Sequence, residues 1–97
     1  MDALNNRGVV YAQLGRFDEA IQDLTRVIEN NPQNGYAYFI RGVAYYGTSA
    51  FEKALADWDR FENLGGRLPD SFSQMRAEVE AVLTGTPAPT ATALSSS

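Results

Sequence analysis

The chain has 97 residues and a net charge of −4, with twelve acidic against eight basic side chains. A chain of this length forms at most one small domain. It contains no cysteine and no histidine, which excludes disulfide frameworks, thiol chemistry and zinc sites. Because the basic residues are scattered singly, no clustered basic face is available for phosphates, and nucleic acid is not an expected partner.

The sequence also lacks the patterns of membrane and catalytic proteins. No apolar run approaches the roughly 18 residues of a membrane span, and the N-terminus lacks the charged and apolar regions of a signal peptide. No membrane partner is therefore expected, and a cytoplasmic location is the default. The densest acidic cluster, Asp57, Asp59 and Glu62, is interpreted as a solvated helix face rather than a metal or acid–base site. No cofactor is expected, and catalysis would need a site assembled with another chain.

Two amphipathic helices are predicted in the first third of the chain. Apolar residues recur at helical spacing from Ala3 to Leu14, and Gly15 suits the end of that helix. A second helix begins near Asp18, because acidic residues suit a helix N-terminus, and the Asn31-Pro32 step ends it.

The same pattern returns 34 positions later, with helices predicted over residues 36–48 and 52–64 and a glycine pair at 65–66 that closes the second. Identities recur at the structurally informative positions, which indicates an internal repeat. They are Ala3/Ala37, Arg7/Arg41, Gly8/Gly42, Val9/Val43, Tyr11/Tyr45, Phe17/Phe51, Ala20/Ala54, Asp23/Asp57 and Arg26/Arg60.

A fifth helix is predicted over residues 69–84, without a partner helix after it. Its apolar stripe consists of Phe72, Met75, Val79, Val82 and Leu83. A single helix at the end of a repeat array is typical of a capping element. Residues 85–97 are rich in Pro, Thr, Ala and Ser without periodicity, which predicts a low-complexity tail.

The 34-residue unit resembles the tetratricopeptide repeat, which carries W-x2-L-G-x2-Y, then A-x3-F, then P. The matching positions are Leu4, Arg7, Gly8, Tyr11, Ala20, Leu24 and Pro32 in the first unit, and Tyr38, Arg41, Gly42, Tyr45, Ala54 and Trp58 in the second. The resemblance covers about residues 2–68 and implies an all-α fold. We expect a short right-handed solenoid of two antiparallel helix hairpins, residues 1–34 and 35–68, with a capping helix over residues 69–84.

Two kinds of contact between paired helices are predicted. Small residues allow the backbones to approach closely, with larger side chains around them: Gly8, Ala20, Tyr11 and Leu24 in the first repeat, and Gly42, Ala54, Tyr45 and Trp58 in the second. Arginine stands where the family commonly has leucine, and an aspartate follows sixteen residues later in both repeats. This spacing predicts the ion pairs Arg7–Asp23 and Arg41–Asp57.

The resemblance implies a concave groove lined by the first helix of each repeat. The groove residues are expected to be Asn5, Asn6, Val9, Tyr36, Phe39, Ile40, Val43 and Tyr46. Relatives that grip the C-terminal carboxylates of chaperones use Lys, Arg and Asn together, and this groove has asparagines without the cations. A chaperone carboxylate clamp is therefore not expected.

A second apolar line, made by Ala3, Val10 and Leu14, is predicted on the outer side of the first helix. Its equivalents in the second repeat, Ala37, Ala44 and Thr48, should rest on the preceding helix, whereas the first repeat has no preceding helix in this sequence. We expect protein partners there, including copies of the chain itself. Head-to-tail contact would give a ring or filament, and contact of two N-terminal ends would give a closed dimer. The alternative hypothesis is an adaptor whose groove holds an extended or helical peptide of another protein.

Overall fold

The chain folds into five α-helices, with no strand among residues 2–85, which are the residues that this computed structural model describes. The helices are α1 (Asp2–Gln13), α2 (Phe17–Asn30), α3 (Gly35–Gly47), α4 (Phe51–Asn63) and α5 (Asp70–Thr84). The prediction of an all-α fold is confirmed. The predicted tail lies, apart from Gly85, outside the described residues.

The helix ends follow local backbone chemistry. Gly15, two residues after the end of α1, has a φ of +79°, a left-handed conformation that glycine adopts without a Cβ penalty. The position 34 residues later is Ser49, which takes φ +64°. Helix α5 begins one residue after its predicted start, because Pro69 is its N-cap rather than its first helical residue.

Residues 2–67 belong to a first compact unit, in which α1 packs on α2, α2 on α3 and α3 on α4. Helix α5 belongs to a second unit that begins at Leu68. The order of packing within the first unit is that of two consecutive helix hairpins. The assignment of residues 1–34 and 35–68 as repeats and of residues 69–84 as a cap stays a prediction.

The core of the first unit lies where α2 meets α3. Its buried cluster consists of Ala20, Leu24, Val27, Ile28, Ala37, Tyr38 and Ala44. Burying one large aliphatic side chain of this kind contributes about 1.5–3 kcal/mol. The apolar stripe of α2 therefore stabilises both the first hairpin and its junction with the second.

Within the described part of the chain, none of the five helices combines the length and the apolar character needed to cross a lipid bilayer.

Candidate functional site

The paired helices of each hairpin meet at a glycine. A Cβ on Gly8 would lie 2.8 Å from Cγ of Leu24, and a Cβ on Gly42 would lie 2.6 Å from Nε1 of Trp58. Real Cβ atoms do not approach other atoms so closely. The structure thus sets each glycine against the large residue of the opposite helix, while Ala54 contributes its carbonyl oxygen, 3.2 Å from the Cβ position of Gly42.

The first Arg–Asp pair joins α1 to α2. Arg7 donates from Nε to Oδ2 of Asp23 at 2.7 Å and from Nη2 to Oδ1 at 2.9 Å, which is a bidentate arrangement. Asp23 is buried, whereas the side chain of Arg7 is 56% exposed. The pair therefore closes the first hairpin from its solvent side, and the arginine keeps an open flank.

The second pair joins α3 to α4 and extends to α2. Arg41 donates from Nε and Nη2 to the two carboxylate oxygens of Asp57, both at 2.8 Å. Its third nitrogen, Nη1, donates to Oγ1 of Thr25 at 3.2 Å. The Arg41 side chain is only 17% exposed. One guanidinium thus links three helices across the junction of the two hairpins.

Aromatic rings surround the second guanidinium. The Cζ atom of Arg41 lies 5.7 Å from the ring centres of both Tyr38 and Tyr45. Lys53 approaches Tyr45 at 5.6 Å, and Arg60 approaches Tyr38 at 5.8 Å. These distances lie within the range of cation–π attraction. The faces of the two tyrosines are therefore occupied by cations of the same chain.

The two carboxylates experience different environments. The hydrogen bonds from Arg7 lower the pKa of Asp23 below its ordinary value of 3.8. Burial raises the pKa of Asp57 above that value, and the hydrogen bonds from Arg41 offset only part of the rise. Charge in the first pair is stabilised by hydrogen bonding, whereas the second pair carries a desolvation penalty.

The predicted groove residues differ in exposure. Tyr36 is 47% exposed, and Asn6 is also exposed. Four others are partly buried, namely Val9, Ile40, Val43 and Tyr46. Asn5 is partly buried as well, and its Oδ1 atom is buried without a hydrogen-bond partner among the described residues. The exposed residues of the predicted groove are therefore Asn6 and Tyr36.

Phe39 is the predicted groove residue that turns inward. It is 9% exposed, and its ring stacks on Phe61 of α4 with centroids 5.0 Å apart. The ring of Tyr36 also lies against Phe39, with a distance of 6.0 Å between the ring centroids. Phe39 therefore supports the position of Tyr36 instead of offering its own face to a ligand.

The outer face of α1, defined by Ala3, Val10 and Leu14, is open. Val10 is 48% exposed and Leu14 is 65% exposed, and Ala3 is exposed as well. The equivalent residues Ala37 and Ala44 have no exposed surface, because α3 packs on α2. Two of the three positions are therefore covered in α3 and uncovered in α1. The prediction was wrong for Thr48, the equivalent of Leu14, which is exposed because it lies just past the end of α3.

Several residues that shape these surfaces were not recognised in the sequence. Thr25 accepts the hydrogen bond from Arg41, and Asn34 caps α3. Phe61 stacks on Phe39. Asn34 carried a readable signal, because asparagine directly before a helix is a common N-cap. The roles of Thr25 and Phe61 depend on which faces of neighbouring helices are in contact. The apolar periodicity of a single helix does not show which faces these are.

The sequence of the chain is similar to those of known repeat proteins. The sequence model of the tetratricopeptide repeat matches residues 2–34. The chain is 40% identical over 63 residues to tetratricopeptide repeat protein 36 of Caenorhabditis elegans, which covers 65% of this chain and 35% of that protein. It is 33% identical over 55 residues to DnaJ homolog subfamily C member 7 of Homo sapiens, which covers 57% of this chain and 11% of that protein. No solved structure is significantly similar to the chain.

The family match covers α1, α2 and the bend between them, where Gly8 faces Leu24. The residues 34 positions later make the equivalent contact between α3 and α4, where Gly42 faces Trp58. Helix hairpins of this type generally form non-catalytic scaffolds that bind other proteins. The chain therefore contains a tetratricopeptide repeat over residues 2–34, and over 63 residues it is similar to a tetratricopeptide repeat protein.

Proposed function

We propose that this scaffold associates with copies of itself through the outer face of α1. The supporting observation is the contrast between the two repeats: Val10 and Leu14 are largely exposed, whereas Ala44, which occupies the position of Val10 in the second repeat, is fully buried. Covering exposed aliphatic side chains is favourable by roughly 25 cal/mol per Å² of apolar surface. A neighbouring chain supplies the covering surface that α2 supplies to α3.

Light scattering of the purified chain tests this proposal. The parent protein is expected to exceed the mass of one 10.6 kDa chain, with a mass that rises with concentration. Replacing Val10 and Leu14 by Glu should reduce the mass to that of one chain, because each new carboxylate would have to lose water in the contact.

Gln22→Glu is the matched control, because it adds a negative charge on an exposed position of α2. This control is expected to associate like the parent. A parent protein that has the mass of one chain at all concentrations, or a double variant that associates unchanged, would contradict the proposal. Circular dichroism confirms that each variant keeps its helices.

The second candidate function is binding of a peptide from another protein in the groove. It is favoured by the exposed ring of Tyr36 and by the exposed amide of Asn6, which can both donate to and accept from a peptide backbone. One relative is named as a DnaJ homolog, which makes proteins of the chaperone system reasonable candidates for this role. The groove offers amides rather than cations, so a neutral peptide suits it better than a carboxylate terminus.

Affinity selection from a random peptide library on the immobilised protein tests this second function. Selected peptides should bind the parent chain and lose affinity for Tyr36→Ala, because a bound peptide would cover the exposed part of that ring. The matched control is Val10→Ala, which changes an apolar residue that is as exposed as Tyr36 but does not belong to the predicted groove. Equal binding to all three proteins would contradict a role for the groove.

A further inference from the structure

The contact between α2 and α3 shows what a helix must bring to cover the outer face of α1. It covers Ala37 and Ala44 completely, and it provides the hydroxyl of Thr25 as an acceptor for Nη1 of Arg41. Arg7 is the equivalent of Arg41, and among the described residues its Nη1 has no acceptor. On α2, Ile21 and Ile28 lie on either side of Thr25 and belong to or pack against the apolar cluster that contains Ala37 and Ala44. We expect a helix that covers α1 in the same way to carry apolar side chains on both sides of an oxygen acceptor.

Helix α5 carries such a pattern on an exposed side. Val82 is 63% exposed, Glu78 is exposed and Met75 is partly exposed. They follow one another at spacings of three and four residues, so they lie along one side of the helix. The carboxylate of Glu78 is flanked by an aliphatic side chain in each direction. It is also a stronger acceptor for a guanidinium than a neutral hydroxyl is.

The spacings on the two helices match in antiparallel orientation. On α1, Ala3 is four residues before Arg7, and Val10 is three residues after it; on α5, Val82 is four residues after Glu78, and Met75 is three residues before it. Two such helices side by side set Ala3 against Val82, Arg7 against Glu78, and Val10 against Met75. Each contact joins a basic to an acidic residue or an apolar to an apolar residue.

We infer that the occupant of the outer face of α1 is α5 of a second copy of this chain, docked antiparallel with Arg7 against Glu78. This inference rests on the proposed self-association and names its partner surface. In the opposite arrangement, with two α1 helices packed about a two-fold axis, the facing line is again Ala3, Arg7, Val10 and Leu14, which contains no side-chain acceptor for Nη1 of Arg7. Asp23 binds the other two guanidinium nitrogens of Arg7 within the same chain, and Glu78 supplies the acceptor that Nη1 lacks.

A contact between α1 of one copy and α5 of the next is heterologous. Each chain carries both surfaces, so the contact propagates into a ring or an open filament. A chain in which one of the two surfaces is blocked can then associate only through the other. Two chains blocked at different surfaces should form a pair and stop there.

Two single variants test this relation. Val10→Glu blocks the face on α1, and Val82→Glu blocks the face on α5; both residues are exposed, so the folded chain tolerates the change. Each variant alone is expected to have the mass of one chain in analytical ultracentrifugation. An equimolar mixture is expected to form a complex of two chains, because one α1 face and one α5 face remain intact. Ser73→Glu, at an exposed position on the opposite side of α5, is the control and should assemble like the parent.

The alternative outcomes are distinguishable. If Val82→Glu assembles like the parent while Val10→Glu does not, α5 is not the occupant, and self-association through α1 still stands. If both variants are single chains and their mixture also remains so, the two faces are not complementary, and the inference is wrong. If the parent itself is a single chain at all concentrations, both the inference and the proposed function are wrong.

Discussion

Arg41 and Asp57 form the less exposed of the two Arg–Asp pairs, with two parallel hydrogen bonds of 2.8 Å between guanidinium and carboxylate. Its counterpart in the first repeat has the same geometry, but Arg7 has more than half of its side chain exposed. Because water screens the first pair more strongly, the two pairs should differ in their contribution to stability.

Replacing Arg41 by Met is expected to lower the free energy of unfolding by about 3 kcal/mol, because the carboxylate of Asp57 then remains buried without a partner. Urea denaturation followed by circular dichroism measures the change. The double variant Arg41→Met, Asp57→Leu should recover most of the loss, since it removes the isolated charge. A double variant as unstable as the single one would show that the unpaired carboxylate is not the cause.

The stability of the first hairpin should depend on pH through Asp23. Its pKa is lowered in the folded chain by the hydrogen bonds from Arg7, so the folded state binds its proton less readily than the unfolded state does. The stabilisation is therefore present above the unfolded value of 3.8 and is lost as pH falls through the lower, folded value. Thermal unfolding between about pH 5 and pH 2 should show a falling Tm below pH 3.8.

The variant Asp23→Asn cannot titrate, so its Tm should fall less steeply over this acidic range. Asp57→Asn is the informative comparison, because burial raises the pKa of Asp57 and gives its contribution the opposite sign. Removal of the Asp57 carboxyl group should make the fall of Tm with decreasing pH steeper rather than shallower. Equal slopes for the parent and Asp23→Asn would contradict the assignment of the acid dependence to that residue.

The sequence predicted the helices and their pairing because both are encoded by short periods and by a repeat. Gly8 and Arg7 recur at the same offset as Gly42 and Arg41, which is sufficient to predict contacts within a hairpin. The period of a helix does not report which neighbour each flank meets. For this reason Phe39 was expected in the groove although its ring lies on Phe61.

The bond from Arg41 to Thr25 was missed on similar grounds. The sequence repeat compares equivalent positions, whereas this hydrogen bond joins positions of two different repeats. The outer face of α1, in contrast, was predicted from the sequence, because comparison of equivalent positions in α1 and α3 was sufficient for it. Within the first unit, residues 2–67, no helix packs on that side of α1, and Val10 and Leu14 are exposed.

Replacing Gly42 by Ala should destabilise the protein although alanine is the better helix former. Its Cβ would lie 2.6 Å from the buried indole of Trp58 and 3.2 Å from the carbonyl oxygen of Ala54. We expect a loss of about 1–3 kcal/mol from overpacking, which exceeds the gain in helix propensity. Gly8→Leu should cost a similar amount, because its side chain would displace Leu24, which has no exposed surface.

Gly35→Ala is the matched control for Gly42→Ala, because its Cβ would meet neighbouring atoms only at 3.5 Å or more. This variant should be as stable as the parent or slightly more stable. The fluorescence of Trp58, the single tryptophan of the chain, reports unfolding in all three proteins. An unchanged midpoint for Gly42→Ala would show that the two helices can separate without cost at this contact.

Asn34 should contribute to stability as the side-chain cap of α3. Its Oδ1 accepts a hydrogen bond from the backbone N–H of Ala37 at 3.2 Å, and α2, α4 and α5 have no side-chain cap of this kind. Asn34→Ala leaves that N–H without its partner at the start of a helix whose first turn is packed into the core, and about 1 kcal/mol of stability should be lost. Asn34→Asp keeps an acceptor and adds a charge that suits a helix N-terminus, so its stability should equal or exceed that of the parent.

Asn63→Ala, at the exposed end of α4, controls for loss of an amide and should change stability by less than about 0.5 kcal/mol. If Asn34→Ala and Asn63→Ala have equal midpoints in urea, the hydrogen bond to Ala37 does not stabilise the helix.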